Sequence, residues 1–339
     1  MHKFRNDYCE IAHDAVLKAL IDNKDCQFTG YGLDEHSQNA AKLIKDLFKA
    51  PSADVHFLVG GTQTNLTFIS YVLKDYEAVV AVKSGHINVH ETGAIEATGH
   101  KVYTVDGVDG KLTASELEKA VKYHSDEHMV KPKLAYISNS TEIGTIYKKE
   151  ELAALYNKCH ELGLYLFIDG ARLACALTSD ANDLEVDDIA KYSDAFYLGG
   201  TKNGLMFGEA LVIVNKELQA DFRYQIKNKG AMLAKGYISG IEFEAILKDN
   251  LYFEIAKNAN KTAKLLYEKL VSLHYDVDAV YTNQLFVTVT KDLAHKLIDA
   301  FGCELWADLG DKLKIRFVTS FKTRVEDIEE VYNFLKNLA

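Results

Sequence analysis

Along the first two thirds of the chain, short apolar runs alternate with stretches in which apolar residues recur at helical spacing. Val55–Val59, Glu77–Val82, Lys101–Val105, Lys133–Ile137, Leu164–Asp169, Ala195–Leu198 and Ala210–Val214 read as strands. Several are almost continuously apolar, the pattern of strands covered on both faces. Between them, Leu66–Leu73 reads as a helical run, and Thr113-Ala-Ser-Glu116 has the spacing of a capping box before an amphipathic stretch. Such alternation predicts an α/β fold, a large and mainly parallel sheet with helices on both faces. After residue 241 the pattern changes. One long helical stretch from Phe243 to Leu273 precedes strand-like Asn283–Thr290, a helix, strand-like Leu313–Thr319 and a terminal helix. That last helix is expected to open at a second capping box, Thr323-Arg-Val-Glu326, with Val325, Ile328, Tyr332 and Leu335 on its apolar face. The expected layout is an N-terminal arm over 1–30, a large α/β domain over 31–245 and a smaller C-terminal α+β domain over 246–339. Only Pro51 and Pro132 are prolines, and no Pro-, Gly- or Ser-rich linker divides the chain, so this division rests on periodicity.

Composition narrows the function classes. Of 339 residues, 48% are apolar, ample for a large core. The net charge of −10 opposes binding to a phosphate backbone, and no Lys or Arg run marks a local basic patch, so nucleic acid is not an expected partner. No uncharged apolar run approaches the roughly 18 residues of a membrane span. Cysteines 9, 26, 159, 175 and 303 are odd in number and scattered, which predicts free thiols rather than a disulfide framework or a structural zinc site. Met1–Asp14 contains no apolar stretch of signal-peptide length. Together these features predict a cytoplasmic protein.

Ligands of open α/β sheets collect beyond the carboxyl ends of the strands, so the residues that follow strand-like runs carry the candidate chemistry. Gly60-Gly-Thr-Gln-Thr-Asn65 leads from a strand into a helix, and exposed amides there suit an anion; the alternative is a tight turn that binds nothing. No Lys-Ser/Thr follows at P-loop spacing. Asp169 ends an apolar strand and faces either a site or its own turn, while Arg172 clamps a carboxylate or pairs with Asp169. Lys202, in Gly199-Gly-Thr-Lys-Asn-Gly204, is a Schiff-base candidate if desolvation lowers its pKa, and otherwise a loop lysine at the sheet rim. His86 and His90 stand four apart beside Glu91, but no third ligand is indicated and no metal is expected. His86 follows a strand–loop junction and can face the site, whereas His90 reads as a helix-packing residue.

In chain order these segments give an anion turn, a histidine, a strand-end aspartate and a lysine about thirty residues later, the set that pyridoxal 5'-phosphate needs. Gly-Gly-Thr-Gln-Thr-Asn (60–65), His-Ile-x-x-His-Glu-Thr-Gly-Ala (86–94), Asp-Gly-Ala-Arg (169–172) and Thr-Lys-x-Gly (201–204) resemble threonine aldolases, of the β-eliminating-lyase branch of fold-type-I pyridoxal-phosphate enzymes. The resemblance runs from Asn6-Asp-Tyr and Gly30-Tyr-Gly32 to Lys314–Thr319. It implies that Lys202 binds the cofactor covalently, that Asp169 holds the pyridine nitrogen protonated, and that His86 stacks on the ring. It further implies phosphate contacts from Gly61, Thr62 and Thr201, a carboxylate grip by Arg172 and Arg316, and places for Tyr31 and Asn6 near the substrate. For Arg316 a cross-strand ion pair is the alternative. It also implies a homodimer or homotetramer with the active site at the subunit interface.

Three departures from the family pattern bear on the substrate. Asn6 stands where serine is common, Glu142 stands where many members place a histidine, and Gly230–Gly236 lacks the arginine that reaches a partner's phosphate. Lys227, Lys229 and Lys235 are the basic residues available to replace it. The implied reaction is aldol cleavage of a β-hydroxy-α-amino acid, L-threonine or L-allo-threonine, to glycine and acetaldehyde. His86, Glu91, Glu142 or a water is its base. The alternatives are β-elimination or another lyase reaction on a different amino acid, and a non-catalytic binding protein on the same sheet.

Overall fold

The computed structural model describes residues 3–338. Seven strands form the large sheet: β1 (Asp54–Leu58), β2 (Glu77–Val82), β3 (Lys101–Val105), β4 (Lys131–Ser138), β5 (Tyr165–Asp169), β6 (Ala195–Gly199) and β7 (Glu209–Ile213). Their order is β1-β7-β6-β5-β4-β2-β3. The pairs β3–β2–β4–β5–β6 are parallel, and only β7 runs antiparallel to its neighbours β6 and β1. The apolar runs are buried because both faces are covered. Val80, Ile137, Ile168, Phe196 and Val212 enter one core, while Val79, Tyr136, Phe167, Tyr197 and Leu211 enter the other.

A second, antiparallel sheet comprises β8 (Asp276–Val277), β9 (Gln284–Thr290), β10 (Glu304–Asp308) and β11 (Lys312–Val318), in the order β10-β11-β9-β8. Its core also takes Phe4, whose amide donates to Phe301 O and whose carbonyl accepts from Val318 N (both 2.9 Å). The N-terminal segment is thereby fixed to the far end of the sequence. Among the described residues, no helix is long and apolar enough to cross a membrane.

Two expectations about helices need correction. The expected single helix over Phe243–Leu273 is two, Tyr237–Leu247 and Leu251–Ser272. Asp249 and Asn250 between them take left-handed backbone angles (φ 52° and 61°), which Asp and Asn tolerate better than most residues. Apolar spacing alone does not register that break. The terminal helix is Val325–Lys336, and its cap is Arg324 with Asp327 rather than Thr323 with Glu326. The Arg324 amide donates to Asp327 Oδ2 (2.8 Å), and Thr323 Oγ1 instead accepts from Ser320 N (2.9 Å). Thr113 does cap its helix, Ala114–Tyr123, by accepting from Glu116 N (3.2 Å). Strands β8 and β10 escaped the sequence reading; β8 has two residues, and β10 alternates only weakly at a half-exposed edge.

Asp194 fastens the bottom of the large sheet. Its Oδ2 accepts from Leu166 N (2.8 Å) and its Oδ1 from Asn215 Nδ2 (2.8 Å), while its backbone joins Leu166 O and Val214 N (both 2.9 Å). This buried carboxylate therefore ties β5, β6 and β7 at one level. Asp194→Ala leaves those donors unpaired and should lower unfolding stability by about 3 kcal/mol, read as a fall in the urea midpoint with an unchanged slope.

Candidate active site

Asp169 ends β5 with its carboxylate buried under the sheet's carboxyl edge. Four donors converge on it: Tyr197 OH (2.5 Å) and Ala171 N (3.0 Å) on Oδ1, Tyr136 OH (2.6 Å) and Asn65 Nδ2 (3.1 Å) on Oδ2. Burial alone would push its pKa up. The positive charge of His86 and the tyrosine and amide donors outweigh that cost and hold it below the usual carboxylate value. The tight chain path beyond requires glycine. A Cβ on Gly170 would lie 1.8 Å from Tyr197 O, and one on Gly199 2.4 Å from Ala171 O.

Lys202 sits in the loop between β6 and β7, whose neck is closed by Gly200 N and Thr201 N donating to Gly208 O (3.0 and 3.1 Å). The residue is half-buried and makes no salt bridge among the described residues; its Nζ lies 6.0 Å from the Tyr8 ring centre. Burial lowers its pKa, Arg172 lowers it further, and Asp7, Asp169 and Glu209 pull the other way; the net direction is down. Glu209, at the start of β7, is moved oppositely by the same burial, up to about 8. Its Oε2 accepts from Gly200 N (3.1 Å), and Thr201 also donates to the carboxylate.

Across a cleft of about 290 Å³ from Lys202 lies the turn Gly60-Gly61-Thr62. Gly61 begins a 12-residue helix that has no side-chain cap, so its first-turn amides are unpaired. A Cβ on Gly60 would meet nothing within 4 Å, so the backbone there is open to the cleft. Ser140 Oγ, on the cleft wall, is buried with no hydrogen-bond partner. His86 starts the short helix His86–Val89. Its Nδ1 meets Glu91 Oε1 (2.7 Å), which also accepts from Asn65 Nδ2 (2.8 Å), so a continuous chain of contacts links His86 to Asp169.

The structure brings Gly61, Thr62, His86, Asp169, Arg172, Thr201 and Lys202 to this one cleft. Arg316 joins through an outer chamber of about 470 Å³ that also reaches Tyr8, His86, His90, Glu142, Lys202 and Trp306. Arg316 makes the cross-strand pair with Glu304 on β10, donates from Nη1 to Gln284 Oε1 (2.9 Å) and stacks over Trp306 at 5.0 Å. His90 is exposed at this mouth, not packed in a helix interface.

Three site expectations are altered. Arg172 pairs with neither Asp169 nor open solvent; Asp7 holds it bidentately, Oδ2 to Nε at 2.7 Å and Oδ1 to Nη2 at 2.9 Å. Asn6 turns its side-chain carbonyl to Tyr8 N and Cys9 Sγ (both 3.1 Å); of its neighbours, Tyr8 lines the cleft and Asp7 is buried against Arg172. Tyr31 lies outside this cleft, in a separate groove with His56, Arg223 and Met232, where Lys227 Nζ is 5.1 Å from its ring. Asp7, Tyr136, Tyr197, Asn65, Glu209 and Ser140 were not singled out from the sequence. Tyr136 and Tyr197 carried a usable signal, since each is a polar-tipped residue within an otherwise apolar strand. Among the described residues, no group of three His, Cys, Asp or Glu side chains could hold a metal.

Comparison with known proteins agrees with this geometry. The family model described as "Beta-eliminating lyase" matches residues 14–292. The low specificity L-threonine aldolase of Pseudomonas aeruginosa is 31% identical over 89% of this chain and 87% of its own length. The solved threonine aldolase of Leishmania major superposes with a TM-score of 0.98 at 45% identity, covering 100% of this chain and 99% of the other. A Thermus thermophilus aspartate aminotransferase, at 14% identity and TM-score 0.72 over 98% of this chain and 89% of its own, shares the fold. On these matches the chain belongs to the β-eliminating lyase family.

Proposed function

We propose that the protein is a pyridoxal-phosphate-dependent carbon–carbon lyase that cleaves threonine or allo-threonine to glycine and acetaldehyde. The observation that carries this reading is the meeting, in one cleft, of a half-buried lysine whose proton affinity is lowered and a buried aspartate held by four hydrogen-bond donors. The donor set suits the cofactor. Unpaired amides at Gly61 and Thr62 match a phosphate, the partnerless Ser140 hydroxyl is free for a polar substituent, and Asp169 matches a pyridine nitrogen. When bound, pyridoxal phosphate supplies an electron sink for a bond broken at the substrate's Cα.

The chain's own residues do the rest. Lys202, its proton affinity lowered, would be the covalent anchor and would carry a proton at Nζ. Asp169 would hold a proton on a bound pyridine nitrogen, and His86, fixed by Glu91, would lie against the ring. Thr201 braces the lysine loop by accepting from Gly208 N (3.0 Å) while lining the same cleft. Arg172, oriented by Asp7, and Arg316, backed by Trp306, would grip the substrate carboxylate and so fix which bond at Cα is presented for cleavage.

We further infer that two copies share each site. Tyr31, Arg223 and Lys227 form an outward cluster, with Arg223 Nη2 donating to Tyr31 O (3.1 Å), and Tyr224 beside it is 78% exposed. A basic and aromatic surface of this kind suits the phosphate region of a neighbouring copy in a homodimer or homotetramer. Five unpaired thiols support a cytoplasmic setting.

Incubation of the holoenzyme with L-threonine and L-allo-threonine should yield glycine and acetaldehyde; ammonia with a keto acid would assign β-elimination instead. Borohydride should trap the cofactor on Lys202, and a mapped adduct on another lysine would overturn that role. Asp169→Asn should retain bound cofactor while kcat falls by about two orders of magnitude. Mixing Lys227→Glu with Lys202→Ala subunits should restore part of the activity that each variant lacks alone, since some mixed dimers carry one intact site. No rescue after demonstrated subunit exchange would rule out a contribution from Lys227.

A further inference from the structure

The carboxyl groups around the cleft are committed to different degrees. Both oxygens of Asp7 hold Arg172, and Oδ2 also accepts from Asn283 Nδ2 (2.9 Å). Asp169 accepts four donors, and Glu304 is paired with Arg316. Glu91 has a fully buried side chain whose Oε1 serves both His86 and Asn65; its Oε2 has no partner among the described residues, but the residue lines neither chamber. Glu209 is taken up by the backbone and hydroxyl of the lysine loop. Glu142 differs. Ser138 Oγ (2.6 Å) and His86 N (2.9 Å) both donate to its Oε1, and among the described residues Oε2 has no hydrogen bond from another residue. The side chain lines both the inner cleft, with Asp169 and Lys202, and the outer chamber, with Arg316 and Trp306.

We propose that Glu142 is the catalytic base, its Oε2 accepting the proton of the substrate's β-hydroxyl. This rests on the aldolase reading and deepens it. The two donors on Oε1 pin the carboxyl plane, so the second oxygen is aimed rather than free to rotate. In the step, the β-O–H bond breaks and its proton passes to Oε2. The released pair forms the second C–O bond of the aldehyde, the Cα–Cβ bond breaks, and its pair remains with Cα until a proton there completes glycine. Threonine thereby divides into glycine and acetaldehyde with no other reactant. Burial raises the proton affinity of Glu142, partly offset by the Ser138 and His86 donors and reinforced by Asp169. Its two chambers are shared by the cationic or basic groups Arg172, Lys202, His86, His90 and Arg316, by the carboxyl groups of Asp169, Glu209 and Glu304, and by the phenols of Tyr8 and Tyr197. The active, ionised form is lost as pH falls through this raised pKa, which places an acid limb in kcat/KM.

Glu142→Gln keeps the shape and an oxygen for Ser138 and the His86 amide, but cannot take the proton. In the holoenzyme, kcat for L-threonine should fall by about 100-fold or more with KM changed less than about threefold. The acid limb should disappear. Exchange of the glycine α-proton with deuterated water involves no β-hydroxyl, so the ratio of exchange to cleavage should rise by about 100-fold. An infrared carboxyl band that titrates with the acid limb in the wild type should be absent from the variant. Near-normal cleavage, or an equal fall in both reactions with cofactor absorbance and melting temperature intact, would overturn the role of Glu142. A wild-type protein that exchanges glycine but cleaves no β-hydroxy amino acid would overturn the aldolase reading itself, and this inference with it.

Discussion

Keeping a carboxylate ionised in a dry interior is the constraint around which this molecule is organised. An isolated buried carboxylate would cost several kcal/mol and would take up a proton instead. Asp169 avoids this by collecting hydroxyl donors from the strands on either side, Tyr136 on β4 and Tyr197 on β6, with Asn65 from the helix beneath and Ala171 N from its own turn. Each donor fixes an element. Tyr136 stands opposite Phe167, two residues before Asp169, so the parallel register of β4 and β5 sets its reach. Moving either strand by one residue would turn its tyrosine to the other face. Asn65 carries the constraint onward through Glu91 to His86.

A second buried charge closes the site from above. Arg172 follows β5 and would be an uncompensated cation beside Lys202 without Asp7. Burial works against the Asp7 carboxylate, yet Arg172 and Lys202 together hold its pKa below the usual value. Through Asn283, Asp7 also reaches the start of β9, so the N-terminal segment, the large sheet and the small sheet meet on one carboxylate. Removing one partner of such a pair is far more damaging than its net worth suggests, because the other charge remains buried. The carboxylate grip is therefore also a joint of the fold.

The large sheet was legible because its strands are buried on both faces and give apolar runs that nothing else in the chain imitates. The turn chemistry after those runs exposed Gly61, Asp169 and Lys202 for the same reason, since glycine-rich segments with one polar residue are conspicuous beside apolar sequence. The Asp7–Arg172 pair was not legible. It joins residues 165 positions apart, and local periodicity is blind to such contacts. Nor was the break at Asp249–Asn250, where two left-handed residues interrupt a pattern that keeps its apolar spacing. The family resemblance drew attention to Arg172 and Arg316, and the geometry shows that both arrive already paired. Tyr31 illustrates the remaining gap, because a single chain places it in another groove.

The same desolvation acts in opposite senses on the two sides of the lysine loop. It lowers the proton affinity of Lys202 and raises that of Glu209, the opposite directions that desolvation gives to a cation and to an acid. Asp169 escapes this fate only because four donors and His86 stand around it. A fold that gives hydrogen bonds to one carboxylate and fewer to the other thus sorts them into different roles. The well-served Asp169 remains an anion, and the less-served Glu209 is left able to carry a proton close to the lysine. Glu242 continues the pattern one layer out, with its pKa pushed up to about 7 by burial while its Oε2 accepts from Met206 N (3.0 Å) in the same loop. The loop bearing Lys202 is therefore held on both sides by carboxyl groups whose proton affinity burial raises, each accepting a hydrogen bond from the loop's own backbone.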